Sequence, residues 1–242
     1  HRWTTDDLVT AWVASQYLQE HTKYLDLGTG NASVLQMVTW SALYQNRTIC
    51  SLGIEARSEA VALARRSLQF NLGLDQQVAT IQHGDFRSLH TTDRFHLVTG
   101  TPPYFAVDFE ASSTSVASAT IRQGGMPTAK QSAPARCEFR GGIEAYCEAA
   151  ARLLVEKGRF AVCENYQNHE RVLRAAQFSG LGIERQVQVE GKQGRGILFV
   201  VYVMVLGNNA SMNVEHLCVR DGNSCWTQQY KDSVLSSMCI PT

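Results

Sequence analysis

The chain has 242 residues, 44% hydrophobic and 18% charged, with 22 basic and 22 acidic side chains. This suits one large α/β domain, or a domain with appendages, and the absence of any run of 18 apolar residues excludes a membrane-spanning helix. Zero formal charge argues against nucleic-acid binding held mainly by charge, leaving a local patch or a partner subunit to supply it.

Residues 3–7, Trp-Thr-Thr-Asp-Asp, precede Leu8, Val9, Trp12, Val13 and Leu18. Thr and Asp ahead of an apolar helical pattern predict an N-cap. The alternative to capping alone is a lid over a cofactor, with the polar groups of Thr5 and Asp6 facing it. Residues 23–27 predict the first buried strand. It runs into Asp26-Leu27-Gly28-Thr29-Gly30-Asn31, with the spacing Asp-x-Gly-x-Gly. Glycine permits a sharp turn and lets a ligand approach where a Cβ would stand. A helix over 32–43 would then offer unpaired N–H groups at its start. This is the layout of a nucleotide-type cofactor site at the edge of a parallel sheet, although such turns also occur with no ligand. A dinucleotide fingerprint needs a third glycine where the chain has Ser33. Asp26 would also disfavour a pyrophosphate. Both residues favour a cofactor with an ammonium group and no phosphate, such as S-adenosylmethionine, over NAD.

Residues 50–55 predict the second strand. Glu55 closes it, 25 residues beyond Gly30, where an acid can accept both hydroxyls of a ribose. A solvated strand-end carboxylate is the plainer alternative, and Ala56 follows on the same rim. A helix over 57–72 leads to a third strand, 77–82, which ends at His83-Gly84-Asp85-Phe86. Asp85 is placed to accept from an adenine amino group with Phe86 beside the ring, although Asp is common in such turns without a ligand. His83 has no second metal ligand in view.

The fourth strand, 95–99, runs into Gly100-Thr101-Pro102-Pro103-Tyr104-Phe105. Two prolines fix the backbone, remove two N–H donors and leave carbonyls as acceptors. With the aromatic ring that follows, they suit a planar group bearing an NH₂; a rigid loop exit is the alternative. Residues 106–140, with four basic and three acidic side chains, predict a long substrate-side loop over the same pocket mouth. Arg122, Lys130, Arg136 and Arg140 in it are candidate phosphate contacts or solvated charges. A helix over 142–154, broken by Gly158, precedes a fifth strand, 159–163, and a helix over 168–178. Strands 183–189 and 197–206 are joined by the glycine-rich stretch 190–196, which predicts an antiparallel hairpin. The whole predicts a Rossmann-like α/β fold: a seven-stranded, mostly parallel sheet with a C-terminal antiparallel hairpin and helices on both faces. Residues 1–206 form its main domain, and 207–242 an extension packing on that domain. The seven cysteines form no C-x-x-C pair, and no basic-then-apolar leader opens the chain. Both features predict free thiols, several of them buried, and an intracellular, cytoplasmic setting.

These residues resemble a family, the class I S-adenosylmethionine-dependent methyltransferases. Within it they are similar to the small-domain group that includes tRNA adenine amino-methyltransferases, rRNA guanine methyltransferases and release-factor glutamine methyltransferases. Asp26-Leu-Gly-Thr-Gly-Asn31 resembles the cofactor motif, Glu55 the ribose acid and Asp85 the adenine-side acid. Arg2-Trp-Thr-Thr-Asp6 resembles the amino-terminal lid. Thr101-Pro102-Pro103-Tyr104 resembles the catalytic motif, usually Asn-Pro-Pro-Tyr. Ala135 to Ile143 resembles the segment after the catalytic loop in the tRNA adenine subgroup. The resemblance spans 2–206 and implies the methyltransferase fold, S-adenosylmethionine bound by Thr5, Asp6, Asp26, Gly28, Gly30, Asn31, Glu55, Ala56, Asp85 and Phe86, and an exocyclic amine as acceptor. Adenine in structured RNA, tRNA or rRNA, is the expected substrate, with no metal. Tyr104 would stack the base while Thr101 and the Pro102 carbonyl hold its amine. Thr101 stands where the family has Asn. A protein glutamine amide is the alternative substrate, and a catalytically silent cofactor-binding partner subunit the alternative class.

Overall fold

A computed structural model describes residues 3–73, 78–104, 107–109, 119–121, 141–207 and 211–240. Helix α1 (Thr5–Ser15) starts at Thr4, whose backbone N–H donates to Asp7 Oδ2 at 3.0 Å in a capping box. Strand β1 (His21–Leu27) is buried over its last four residues, as a strand covered on both faces should be. It is followed by α2 (Ser33–Tyr44), β2 (Thr48–Glu55), α3 (Ser58–Leu72), β3 (Ala79–His83) and β4 (Phe95–Gly100). Gly73 ends α3 at φ +55°, in the left-handed region that glycine adopts without strain. Two short strands, β5 (Val107–Phe109) and β6 (Ala119–Ile121), pair antiparallel. The second half is α4 (Ile143–Leu153), β7 (Leu154–Asn165), α5 (His169–Phe178), β8 (Leu181–Glu190), β9 (Ile197–Leu206) and β10 (Asn213–Cys218). A short helical segment, Gln228–Tyr230 continuing through Lys231–Leu235, follows.

The main sheet has eight strands in the order β3-β2-β1-β4-β7-β9-β8-β10. Strands β1, β2, β3, β4 and β7 are parallel, while β9 runs antiparallel to both β7 and β8. The Rossmann-like α/β architecture and the C-terminal hairpin therefore stand. The strand count is corrected from seven to eight: β10 lies in the tail and pairs parallel to β8. Only Leu217 of β10 is fully buried, so an edge strand with almost no apolar alternation escaped pattern reading.

A second correction concerns β7, which begins at Leu154, directly after the helix, and contains Gly158 instead of being preceded by it. A Cβ on Gly158 would come within 2.9 Å of the Phe95 carbonyl oxygen, and the β4–β7 register shifts between Phe95 and Leu97. Glycine here allows a backbone approach at an irregular pairing.

Helices α1, α2 and α3 cover one face, together with Tyr230, Val234, Leu235 and Met238 of the tail. Helices α4 and α5 cover the other. The chain order reverses between β1 and β4, so the crevice where open α/β sheets bind ligands lies at their carboxyl ends. No described helix is long and apolar enough to cross a membrane. Cys147 and Cys163 are buried free thiols, whereas Cys50, Cys225 and Cys239 are free and exposed. Arg2, Phe105, Cys137, Arg122, Lys130, Arg136, Arg140 and most of loop 106–140 lie outside the described residues.

Because Leu235 is only 3% exposed within the α1–α2 core, Leu235→Ala is expected to lower unfolding free energy by about 2–5 kcal/mol in urea titration. A loss near zero would mean that the tail is not part of this core.

Candidate active site

The glycine turn folds as its sequence predicts. Gly28 and Gly30 have φ of +62° and +56°. Ala32, which caps α2, also lies in the left-handed region at φ +64°, a conformation costing an alanine roughly 1 kcal/mol. A Cβ on Gly30 would meet nothing nearer than the Gly28 carbonyl oxygen at 4.0 Å, so the turn presents open space on that side. Beneath the turn lies Tyr146 of α4. Its hydroxyl occupies the place a Cβ on Gly28 would take, and its ring would lie 2.5 Å from a Cβ on Gly100. Phe86 packs against the same ring at 4.5 Å between centroids.

Four carboxylates gather around this crevice. Asp26 is 3% exposed; its Oδ2 accepts from Thr29 Oγ1 at 2.5 Å and its Oδ1 from Thr99 Oγ1 at 2.6 Å. The Tyr24 hydroxyl extends the chain to Thr99 Oγ1 at 2.7 Å. Burial pushes Asp26 up from the usual carboxylate range to about 6, against the pull of the two hydroxyls. Asp7 rises to about 7, first through burial and then through the charge of Asp6. Glu55 is 6% exposed; its Oε2 accepts from Gly30 N–H at 2.9 Å and its Oε1 from Arg57 N–H at 2.8 Å. Two of these acids reach ionisation only near neutrality. That is the electrostatics of a site suited to a cation.

The Pro-Pro-Tyr loop leaves β4 between two anchors. Tyr104 OH donates to Asp6 Oδ2 at 2.7 Å and lies 3.2 Å from Cys163 Sγ. The Tyr104 carbonyl accepts from Asn168 Nδ2 at 3.2 Å, and Asn168 Nδ2 also reaches Glu164 Oε1 at 3.1 Å. Glu164, fully buried at the carboxyl end of β7, accepts in addition from Asn165 N–H at 2.8 Å. Pro102 is buried; Thr101 and Pro103 are half-buried. The Thr101 hydroxyl makes no hydrogen bond to any described residue.

The structure thus brings Asp6, Asp26, Gly28, Gly30, Glu55, Thr101, Pro102, Pro103 and Tyr104 to one edge. Thr5 opens α1 beside Asp6. Asn31 lies in the turn, where its carbonyl accepts from Gln36 Nε2 at 3.2 Å, and Ala56 faces His83 Nε2 through its carbonyl at 3.1 Å. Two side chains are engaged differently from the sequence expectation. The Asp85 carboxylate caps its own 3₁₀ turn and forms an ion pair with Arg87. The Tyr104 hydroxyl is tethered to α1 by Asp6, a contact the sequence did not predict. Sequence reasoning also missed Tyr146, Glu164 and Asn168. The signal for the last two was their place at and just past the carboxyl end of a strand parallel to β4, which shares its crevice.

The fold is similar to that of solved S-adenosylmethionine-dependent methyltransferases. A crystal structure of a predicted O-methyltransferase from Agrobacterium tumefaciens superposes with a TM-score of 0.69 over 97% of each chain, at 15% identity. The tRNA1(Val) (adenine(37)-N6)-methyltransferase of Actinobacillus pleuropneumoniae is 24% identical over 229 residues, 94% of this chain and 86% of that protein. The release factor glutamine methyltransferase of Caulobacter vibrioides is 38% identical over 84 residues, 35% of this chain but 27% of that protein. No protein-family model matches the chain.

A carboxyl group whose pKa rises on folding binds its proton more tightly in the folded state. Its stabilising contribution is complete below the unfolded value near 4 and is lost as pH climbs, through about 6 for Asp26 and about 7 for Asp7. Asp7→Asn is therefore expected to shrink the fall in unfolding free energy between pH 5 and 7.5 by roughly 1–3 kcal/mol, read from urea titrations at each pH. An unchanged slope would contradict the burial of this acid.

Proposed function

We propose that the chain transfers a methyl group from S-adenosylmethionine to an exocyclic amine, that of adenine in a structured RNA. The observation that carries this reading is the Thr101 hydroxyl, which has no hydrogen-bond partner among the described residues, beside Pro102. It stands at the carboxyl end of β4, next to the acid-lined glycine turn on β1.

The crevice fits the cofactor on three counts. Gly30 leaves an open cradle that a Cβ there would fill. Asp26 and Asp7 favour a positive group, and Asp6 and Thr5 border the same end. Glu55, anchored by Gly30 N–H and Arg57 N–H, retains lone pairs for ribose hydroxyls. Asn31 and Ala56 line the rim, and Asp85 and Phe86 border the adenine end. When bound, S-adenosylmethionine supplies an electrophilic methyl carbon: the N–C bond forms as the C–S bond breaks, the electron pair stays on sulfur and the amine proton leaves to water.

This chain's residues supply position. The Thr101 hydroxyl and the Pro102 carbonyl accept hydrogen bonds from the amine. Those bonds draw the nitrogen lone pair out of conjugation with the ring and aim it. The Asp6–Tyr104 and Asn168–Tyr104 bonds hold the loop so that the aim survives. The base reaches this loop only unpaired or extruded from its stack.

The 24% identity to a tRNA adenine methyltransferase along nearly the whole chain supports RNA adenine as the substrate. The local 38% identity to a glutamine methyltransferase supports a protein glutamine amide as the second reading. A silent subunit that binds cofactor and assists a partner is the reading favoured by Thr101 in place of the family's Asn.

Labelled methyl transfer into a cell extract, separated into RNA and protein, decides among them. The expected result is label on adenine in the RNA fraction, reduced on the order of 10²-fold by Thr101→Ala. Label on protein glutamine replaces the substrate. No label from folded protein that still binds S-adenosylhomocysteine sinks the stand-alone enzyme, and a gain on Thr101→Asn would then point to a silent scaffold.

A further inference from the structure

The Tyr104 hydroxyl is tethered to Asp6 at the edge of the Pro-Pro loop. We propose that Tyr166 supplies a ring face there: the side chain is a plate on which the planar heterocycle of the substrate stacks. This inference rests on the RNA base named above.

Position comes first. Strands β4 and β7 are parallel and paired Gly100 to Val162. Tyr104 and Tyr166 each follow four residues after that pair, past the carboxyl ends of the two strands. The 3₁₀ turn Tyr166–Asn168 is joined to the loop by the Asn168 amide on the Tyr104 carbonyl, 3.2 Å. The turn is itself capped by Asn165, whose side chain accepts from Gln167 N–H at 2.9 Å.

Rigidity is the second point. Tyr166 is 38% exposed, yet its ring is stacked on His169, 5.7 Å between centroids and 30° between planes. His169 is stacked in turn on Tyr202, 6.0 Å and 19°, and its Nδ1 lies 2.8 Å from the Tyr202 hydroxyl. Tyr202 is fully buried on β9. A three-ring ladder therefore rises from the core and ends in an exposed aromatic next to the amine-holding loop. A ring already held in place loses little conformational freedom when a ligand covers it.

The other exposed aromatics do not combine these features. Tyr44, Phe70 and Phe178 sit near the C-terminal ends of α2, α3 and α5, at the opposite edge of the sheet. Trp3, ahead of α1, stacks on no ring among the described residues.

The test compares the whole chain with Tyr166→Ala and Tyr166→Phe. The probe is bulk tRNA with labelled S-adenosylmethionine, and S-adenosylhomocysteine binding is measured by calorimetry. Tyr166→Ala is expected to lower kcat/KM for tRNA roughly 5- to 150-fold, the range for losing one base–aromatic stack, while leaving S-adenosylhomocysteine affinity and Tm at wild-type values. Tyr166→Phe keeps the ring and is expected to stay within about twofold of wild type. Wild-type kcat/KM in Tyr166→Ala overturns the proposal, as does a Phe variant as impaired as Ala. If the wild-type chain labels no RNA, the RNA reading fails and the stacking role falls with it. Only the mutant comparison, on RNA that the wild type does label, counts against Tyr166 alone.

Discussion

The carboxylate of Asp26 is shared between two hydroxyls, Thr29 in the glycine turn and Thr99 on the adjacent strand. Burying a charge costs several kcal/mol, and here the hydroxyls and an upward-shifted pKa offset it. The return is geometric. Thr99 stands two residues before Thr101, so the bond that closes the glycine turn also fixes where the Pro-Pro loop leaves β4. Removing either hydroxyl would leave a buried acceptor without one of its donors, at about 1–3 kcal/mol. It would also loosen both walls of the crevice at once.

Tyr146 enforces the same alignment from below. One ring fills the space left by two glycines, Gly28 on β1 and Gly100 on β4. Neither position can take a side chain while the ring is there. The glycines therefore answer to two demands: a turn that needs positive φ at Gly28, and a helix packed tightly against two strand ends.

The parts of this site that were legible in the sequence are local ones. The Asp-x-Gly-x-Gly turn, the strand-end Glu55, the Pro-Pro-Tyr loop and the glycine-rich hairpin each occupy a short stretch whose chemistry is self-contained. The βα alternation is likewise written in apolar periodicity. What escaped depends on registers between distant segments. Asn168, bonded to Glu164, reaches the loop only because β7 runs parallel to β4, and the Tyr104 hydroxyl finds Asp6 only because α1 docks there. Strand β10 escaped for a different reason, since a single buried leucine gives no pattern. The Asp85–Arg87 pair was the exception: partners two residues apart were open to reading, yet Asp85 was weighed as a ligand contact or a turn residue and Arg87 was not paired with it.

Helix α1, near the start of the chain, shares its core with Val234, Leu235 and Met238, near the other end. During synthesis, α1 is made more than two hundred residues before these tail residues. Until they follow, it can pack on α2 and on strands β4, β7 and β9. A nascent chain halted before the tail would carry the glycine turn and the Pro-Pro loop and still lack part of the core behind α1.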